Sequence, residues 1–307
     1  MQRYILSKLG QSILMLFGVL VLVFFMVRMT GDPASLMASR EASPATIDRI
    51  RQEWGFDRPL HHQFWDFLRG AVVGDFGRSH HFRTPAMPLV TQRLPATVHL
   101  AATGLLMAVL IGLPLGLVGG FNPGSVVDSM GRFLALMGQS VPNFWLALIM
   151  ILLFAVRLGW FPSFGRDQWH SVLMPGFVLA LPTMGQIVRL TRSSVLEVRG
   201  EDYIRTAHSK GLDPRTIYVK HVLRNVAIPL ISVLGVQFGY MLGGSIYIEA
   251  VFSWPGIGQL TEQAVGWRDF PLVQSIAVFV SVVVLALNLL TDIAYAMIDP
   301  RVRHGKR

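Results

Sequence analysis

Six stretches of the chain run for about twenty residues without a charged side chain. They are Leu9–Val27, Leu100–Phe121, Phe133–Val156, Gln168–Val188, Val226–Ile248 and Phe270–Thr291. Twenty residues of helix rise about 30 Å, the thickness of the hydrocarbon core of a bilayer. The pattern predicts an all-α membrane protein with six spanning helices, an even number that puts both termini on one side. Leu9–Val27 follows Arg3 and Lys8 and is longer than the apolar region of a cleavable signal, about 7–15 residues. It is expected to be retained as the first span. Pro114 and Pro142 fall inside spans and are expected to kink them.

Two polar interruptions are long enough to build structure. Thr30–Thr97 is too polar to span and predicts a small external subdomain. In it, Ser43 and Pro44 suit the cap and first turn of a helix that carries Ile47, Ile50 and Trp54 on one face. A second amphipathic helix is expected through Phe64, Phe67, Leu68, Ala71 and Val72, with Gly74 and Gly77 ending it. The other interruption is the loop 189–225. The expected organisation is an N-terminal span at 1–29, an external subdomain at 30–97, a five-helix core at 98–300 that contains this loop, and a basic tail at 301–307.

Composition agrees with the pattern. Hydrophobic residues make up 52% and charged residues 15%, against about 25% charged in soluble domains. Such a chain cannot cover itself with charge, and lipid removes the need. The net charge of +9 would suggest nucleic acid in a soluble protein, but the bases lie between the spans. With the N-terminus inside, fifteen Lys and Arg fall in short cytoplasmic segments, and only Arg157, Arg166 and Arg268 fall in short external ones. That imbalance predicts both termini in the cytoplasm. There is no cysteine, which excludes disulfides and thiolate metal sites.

The loop divides into two short helices. Glu201 and Asp202 favour a helix start, Tyr203, Ile204 and Ala207 share a face, and Gly211 is a stop. Asp213 and Pro214 are a second cap and start, with Ile217, Val222 and Leu223 continuing toward the fifth span. Ala207 and Gly211 leave room for a partner's backbone, ringed by Arg205, Lys210, Arg215, Lys220 and Arg224. On spacing alone, a charge run at the lipid head groups explains the bases equally well.

Small residues recur at every fourth position in two spans: Gly104, Ala108, Gly112, Gly116 and Gly120, then Gly235, Gly239 and Gly243. That spacing lets helix backbones approach closely in lipid. Packing within the chain and a seam with a second membrane subunit both account for it. Polar residues in spans are costly unless paired, so Gln139 and Asn143, one turn apart, and Gln237 with Met241 are candidates to line a pathway; interhelical bonding is the alternative. Glu249 and Asp292 are expected near span ends, where water can reach them. His61, His62, His80 and His81 are adjacent pairs without metal-ligand spacing.

The stretch Glu201–Gly211 (EDYIRTAHSKG), followed by Lys220–Pro229 (KHVLRNVAIP), resembles the EAA-type coupling loop of ABC importer permeases in the dipeptide, oligopeptide, glutathione and nickel branch. Gly31–Ala34 (GDPA), Asp75–Ser79 (DFGRS), Val141–Leu146 (VPNFWL), Gly243–Gly258 (GGSIYIEAVFSWPGIG), Arg268–Gln274 (RDFPLVQ) and Asp299–Arg303 (DPRVR) resemble that branch too, in family order along nearly the whole chain. Arg205 and Thr206 stand where the simple motif has Glu and Ala, while Ala207 and Gly211 match it.

The resemblance implies a type I importer permease fold in a bacterial inner membrane. It implies a second homologous permease, two cytoplasmic ATPase subunits that use ATP and Mg, a periplasmic solute-binding protein, and no nucleic-acid partner. Glu201, Asp202, Tyr203, Arg205, Thr206, Ala207, Lys210 and Gly211 would form the ATPase contact. The chain has no phosphate-binding G-x-x-x-x-G-K-[ST] loop, no H-E-x-x-H pair and no nucleophile elbow, so no cofactor or catalytic residue is expected in it. The expected cargo is a small peptide or peptide-like solute. Nickel or a metal chelate is the alternative within the family. A secondary transporter working alone is the alternative outside it, and a membrane scaffold without transport is a third class.

Overall fold

A computed structural model describes residues 2–29, 34–35, 43–211, 213 and 223–298. Gly31–Pro33 of the GDPA motif, the second loop helix through Pro214–Val222, and the DPRVR motif with the basic tail lie outside the described residues. By internal contacts the chain divides into two compact units, Gln2–Thr97 with Pro255–Ala286 and Val98–Trp254 with Leu287 onward. All the described secondary structure is helical apart from one isolated bridge between Arg78 and Pro85.

The first unit begins with α1 (Gln2–Met29). Helix α2 (Pro44–Glu53) starts as the sequence predicts: Ser43 is extended, and its hydroxyl accepts the Thr46 N–H at 3.3 Å. Helix α3 (Leu60–Val73) ends at Gly74, whose φ of 75° is the left-handed conformation that glycine adopts without strain. It lies along α1: the Phe64 ring is 5.0 Å from that of Phe24 and 6.5 Å from that of Phe17. Arg28 ties the two together by donating to the Gln63 side-chain oxygen at 2.7 and 3.2 Å. Trp65, Val72 and Val73 remain exposed on α3. The polar segment thus keeps one of its helices against the first span.

Helix α4 (Ala86–Phe121) has 36 residues, more than a bilayer needs. The expected domain boundary near Thr97 falls within this continuous helix. Its first turns, through Ala86 and Val90, pack on α11 (Ile257–Gly266) and the start of α12 (Phe270–Ile298) through Leu260, Ala264, Leu272 and Ile276. Two resembling motifs meet here. Buried Asp269 accepts from the Ser79 hydroxyl, from the His81 N–H at 3.2 Å and from the Leu272 N–H at 3.3 Å. His81 stacks on Trp267 with ring centres 3.6 Å apart, and His80 lies 4.4 Å from the Trp54 ring. Burial pushes the His80 imidazole below its ordinary value, against the pull of Asp269.

The second unit is built around α7 (Leu173–Gly200), entered through a 3₁₀ turn at Trp169–Val172. Of its most apolar window 78% is buried inside the chain, against 17–28% for the other three long apolar helices. It is the most enclosed of the four. The α4 glycine ridge packs on it. A methyl group on Gly112 would lie 3.0 Å from the Met184 carbonyl, and one on Gly116 would lie 2.7 Å from Thr191 Cβ. On the next helix, α5 (Val126–Ser140), Gly138 meets the Leu181 carbonyl, while a methyl on Gly185 would lie 2.8 Å from Ala135 Cα.

Among the described residues, four helices are long and apolar enough to cross a membrane: Leu6–Met29, Ala86–Phe121, Trp169–Gly200 and Phe270–Ile293. The third expected span is not one helix. It divides into α5 and α6 (Asn143–Met150, continued as a π-helix over Ile151–Arg157), with a 109° angle between them. Val141 and Pro142 are both extended, at ψ 123° and 130°. Proline drives the residue before it out of the helical region, so two consecutive extended residues replace the expected kink. Pro114, in contrast, sits in unbroken helix. The fifth expected span is α9 (Leu223–Gly244), whose 22 residues rise about 33 Å. A short α10 (Ile246–Val251) follows.

Candidate coupling site

The first loop helix forms where the sequence predicts it. Glu201 is extended and separates α7 from α8 (Asp202–Ser209). The Glu201 carbonyl accepts the Ile204 N–H at 3.1 Å, and the Thr206 hydroxyl donates back to the Asp202 carbonyl at 2.9 Å. Gly211 follows at φ 72°, with nothing within 4 Å of where its Cβ would stand. Its need for glycine is conformational, not steric.

The expected shared face of Tyr203 and Ile204 divides in two. Ile204 is buried in a cluster with Val195 and Val226, against Leu117, Phe121 and Val198. Tyr203 is 42% exposed. Consecutive helical residues are 100° apart, so one can anchor the helix while the other points outward. Thr206, Lys210 and Gly211 are exposed, and Arg205 and Ala207 lie within the helix.

Beneath α8 is a brace that sequence reasoning missed. Asp128, in the first turn of α5, is fully buried and is held by Arg192 of α7 at 2.6 and 3.2 Å. The Gly124 N–H donates to it at 3.0 Å, and Arg132 stands 3.6 Å away. A methyl on Gly119 would lie 3.1 Å from its oxygen, so the close approach depends on glycine there. Two turns nearer α8, Arg199 donates to the Gly120 and Phe121 carbonyls at 3.1 and 2.7 Å. These are orphan acceptors at the end of α4, where a cation is favoured. The end of α7 from which α8 departs is thus pinned to both α4 and α5. A single acidic residue after the Ser125 cap, in a segment whose only other charge is Arg132, was the available signal.

The pathway candidates separate. Gln139 is exposed at the end of α5, whereas half-buried Asn143 opens α6 beyond the break, so they do not share a helix face. Gln237 is bonded: its amide donates to the Gln186 oxygen, and its own oxygen accepts from Thr183 at 3.4 Å. Met241 is buried. Gly235 packs against Thr291 and Gly239 approaches Asn288, but Gly243 meets nothing within 4 Å. Gly112 and Gly116 form an internal seam with α7. Glu249, expected to be solvated, is fully buried, and the Ser245 hydroxyl donates to it at 3.0 Å. Its place on the short α10, folded into the chain after α9, removes it from water.

Known proteins share this organisation end to end. The N-terminal component of binding-protein-dependent transport system membrane proteins matches residues 1–101, and the inner membrane component matches residues 112–304. The chain is 39% identical over 305 residues to the glutathione transport system permease protein GsiC of Escherichia coli K12, covering 99% of this chain and all of that one. The Shigella flexneri serotype 5b protein of the same name matches to the same extent. Among solved structures, the inward-facing MetNI methionine ABC transporter shares the fold at a TM-score of 0.56 and 20% identity, over 69% of this chain and 97% of that one. An amino acid ABC transporter shares it at 0.55 and 17%, over 68% and 94%. The chain belongs to the binding-protein-dependent transport system inner membrane components, and is a multi-pass permease of the ABC importer class.

Proposed function

We propose that this chain is one of two related permease subunits of an importer for small peptides or peptide-like solutes of the glutathione type. The observation that carries this reading is the end-to-end match, at 39% identity, to a glutathione permease. Two cytoplasmic ATPases bind and hydrolyse ATP with Mg, and a periplasmic protein delivers the solute. Residues 30–97 lie on the periplasmic side, and both termini and the loop 189–225 are cytoplasmic. Helix α8 seats in a groove of the ATPase through Tyr203, Ala207 and the turn at Gly211. Closure of the ATPases displaces α8, and the brace at Asp128, Arg192 and Arg199 passes that displacement to α4, α5 and α7.

The test is glutathione uptake by the complete complex in proteoliposomes. Changing the phosphate-loop lysine of the ATPase partner should abolish uptake. Continued uptake driven by a proton gradient would mean a carrier that works without an ATPase.

A further inference from the structure

The brace borders a cavity that no step above uses. It has a volume of about 590 Å³ and lies wholly within the second unit. Arg132, Arg189, Arg192, Ser193 and Gln186 line it together with the apolar Leu190 and Val233. Asp128 is the only carboxylate ion-paired with these guanidiniums among the described residues, and it engages Arg192 and Arg132. Arg189 has no ion pair there. Three guanidiniums beside one carboxylate leave an excess of positive charge around this open cavity.

From Gln186 on its lining, a chain of hydrogen bonds leads into the span interior. Gln186 lies one turn before Arg189 on α7, and its side-chain oxygen accepts from Gln237 of α9. Gln237 also accepts from buried Thr183. A polar strip therefore runs from inside the bundle to the arginines, on the portion of α7 that leads to the coupling helix. Guanidinium forks match carboxylates in geometry as well as charge.

We propose that this cavity is a transit site for the carboxylates of an anionic peptide, with Arg189 as its cationic contact and Gln186 and Gln237 as the polar step that precedes it. The inference rests on the peptide-importer reading and narrows it to solutes with net negative charge. Arg189 lies open on the rim, so contact is brief. A transit site must hold its solute firmly enough to draw it in and loosely enough to release it.

Binding is read on the permease–ATPase complex in nanodiscs, without the binding protein, by saturation-transfer NMR. The probes are glutathione and its dimethyl ester, in which both carboxylates are neutralised. Arg189→Gln should weaken glutathione binding about tenfold, the scale of one charge-assisted hydrogen bond. Arg189→Lys should recover most of it, and Gln186→Glu should weaken it by adding an opposing charge. The ester should bind weakly to every form. No glutathione binding, or binding equal for ester and acid, would overturn the proposal. So would an Arg189 effect seen only in nanodiscs containing phosphatidylglycerol, which would assign the arginine to lipid head groups. The parent reading fails separately, if the complete complex shows no ATP-driven glutathione uptake.

Discussion

At Gly211 the chain needs a conformation more than it needs space. The left-handed region costs a residue with a Cβ about 1–2 kcal/mol, least for asparagine. Uptake per ATP hydrolysed should fall in the order Gly, Asn, Ala, Val at this position, while the amount of protein in the membrane stays constant. Equal coupling in all four variants would refute the role of the turn. Asp128 acts differently. Asp128→Ala strands Arg192, which is three-quarters buried, at a cost of about 3 kcal/mol, the lower end for a broken buried pair. The purified protein should melt at a lower temperature, and the Asp128→Ala/Arg192→Leu double variant should recover part of the loss. His80 supplies a pH dependence. Its pKa is lower in the fold than its ordinary 6.5, so the neutral form is favoured. Its stabilising contribution is complete above about 6.5 and is lost as the pH falls through the depressed value. Melting curves between about pH 5 and 8 should show this decline, and His80→Phe should flatten it.

Among elements, glycine spacing marks close approach without naming the neighbour. The α4 ridge is spent inside the chain: Gly116→Leu should force α4 away from α7 and reduce folded protein sharply, whereas Gly243→Ala, facing open space, should leave the yield unchanged. Comparable losses in both variants would mean that Gly243 is also packed. The same elements mark what could be read in the sequence. Apolar runs, the Ser43–Pro44 start and the Gly211 stop are local signals, each decided by residues a few positions apart. The 109° break is half legible: Pro142 announces a disturbance, but the extended Val141 beside it turns a kink into a corner. The course of α3 along α1 depends on Phe17, Phe24 and Phe64 matching across more than thirty residues. The Asp128–Arg192 pair spans 64 positions, and only the approach of α5 to α7 brings it together. Glu249 reads as solvated because burial is a property of what folds over it.

For the molecule as a whole, the absence of cysteine makes topology directly measurable. An impermeant maleimide should label Asp57→Cys from outside intact cells and should reach Lys210→Cys only after the membrane is opened. The reverse pattern would invert the orientation inferred from the positive charges. Most of the apolar surface of α1, α4 and α12 is left uncovered by this chain, whereas α7 is largely enclosed within its own unit.

The length of α7 sets the scale of what such a molecule can transmit. Its 28 residues make a rod about 42 Å long. Pro182 removes one rung of its hydrogen-bond ladder, but α4 and α5 pack on it at and on both sides of that residue, so it can swing as a unit. A tilt of ten degrees about its midpoint carries each end roughly 4 Å in opposite directions. A push of one atomic diameter beneath the membrane would thus become an equal and opposite movement near the far surface. The gearing ratio is set by where along the rod its glycine contacts place the fulcrum.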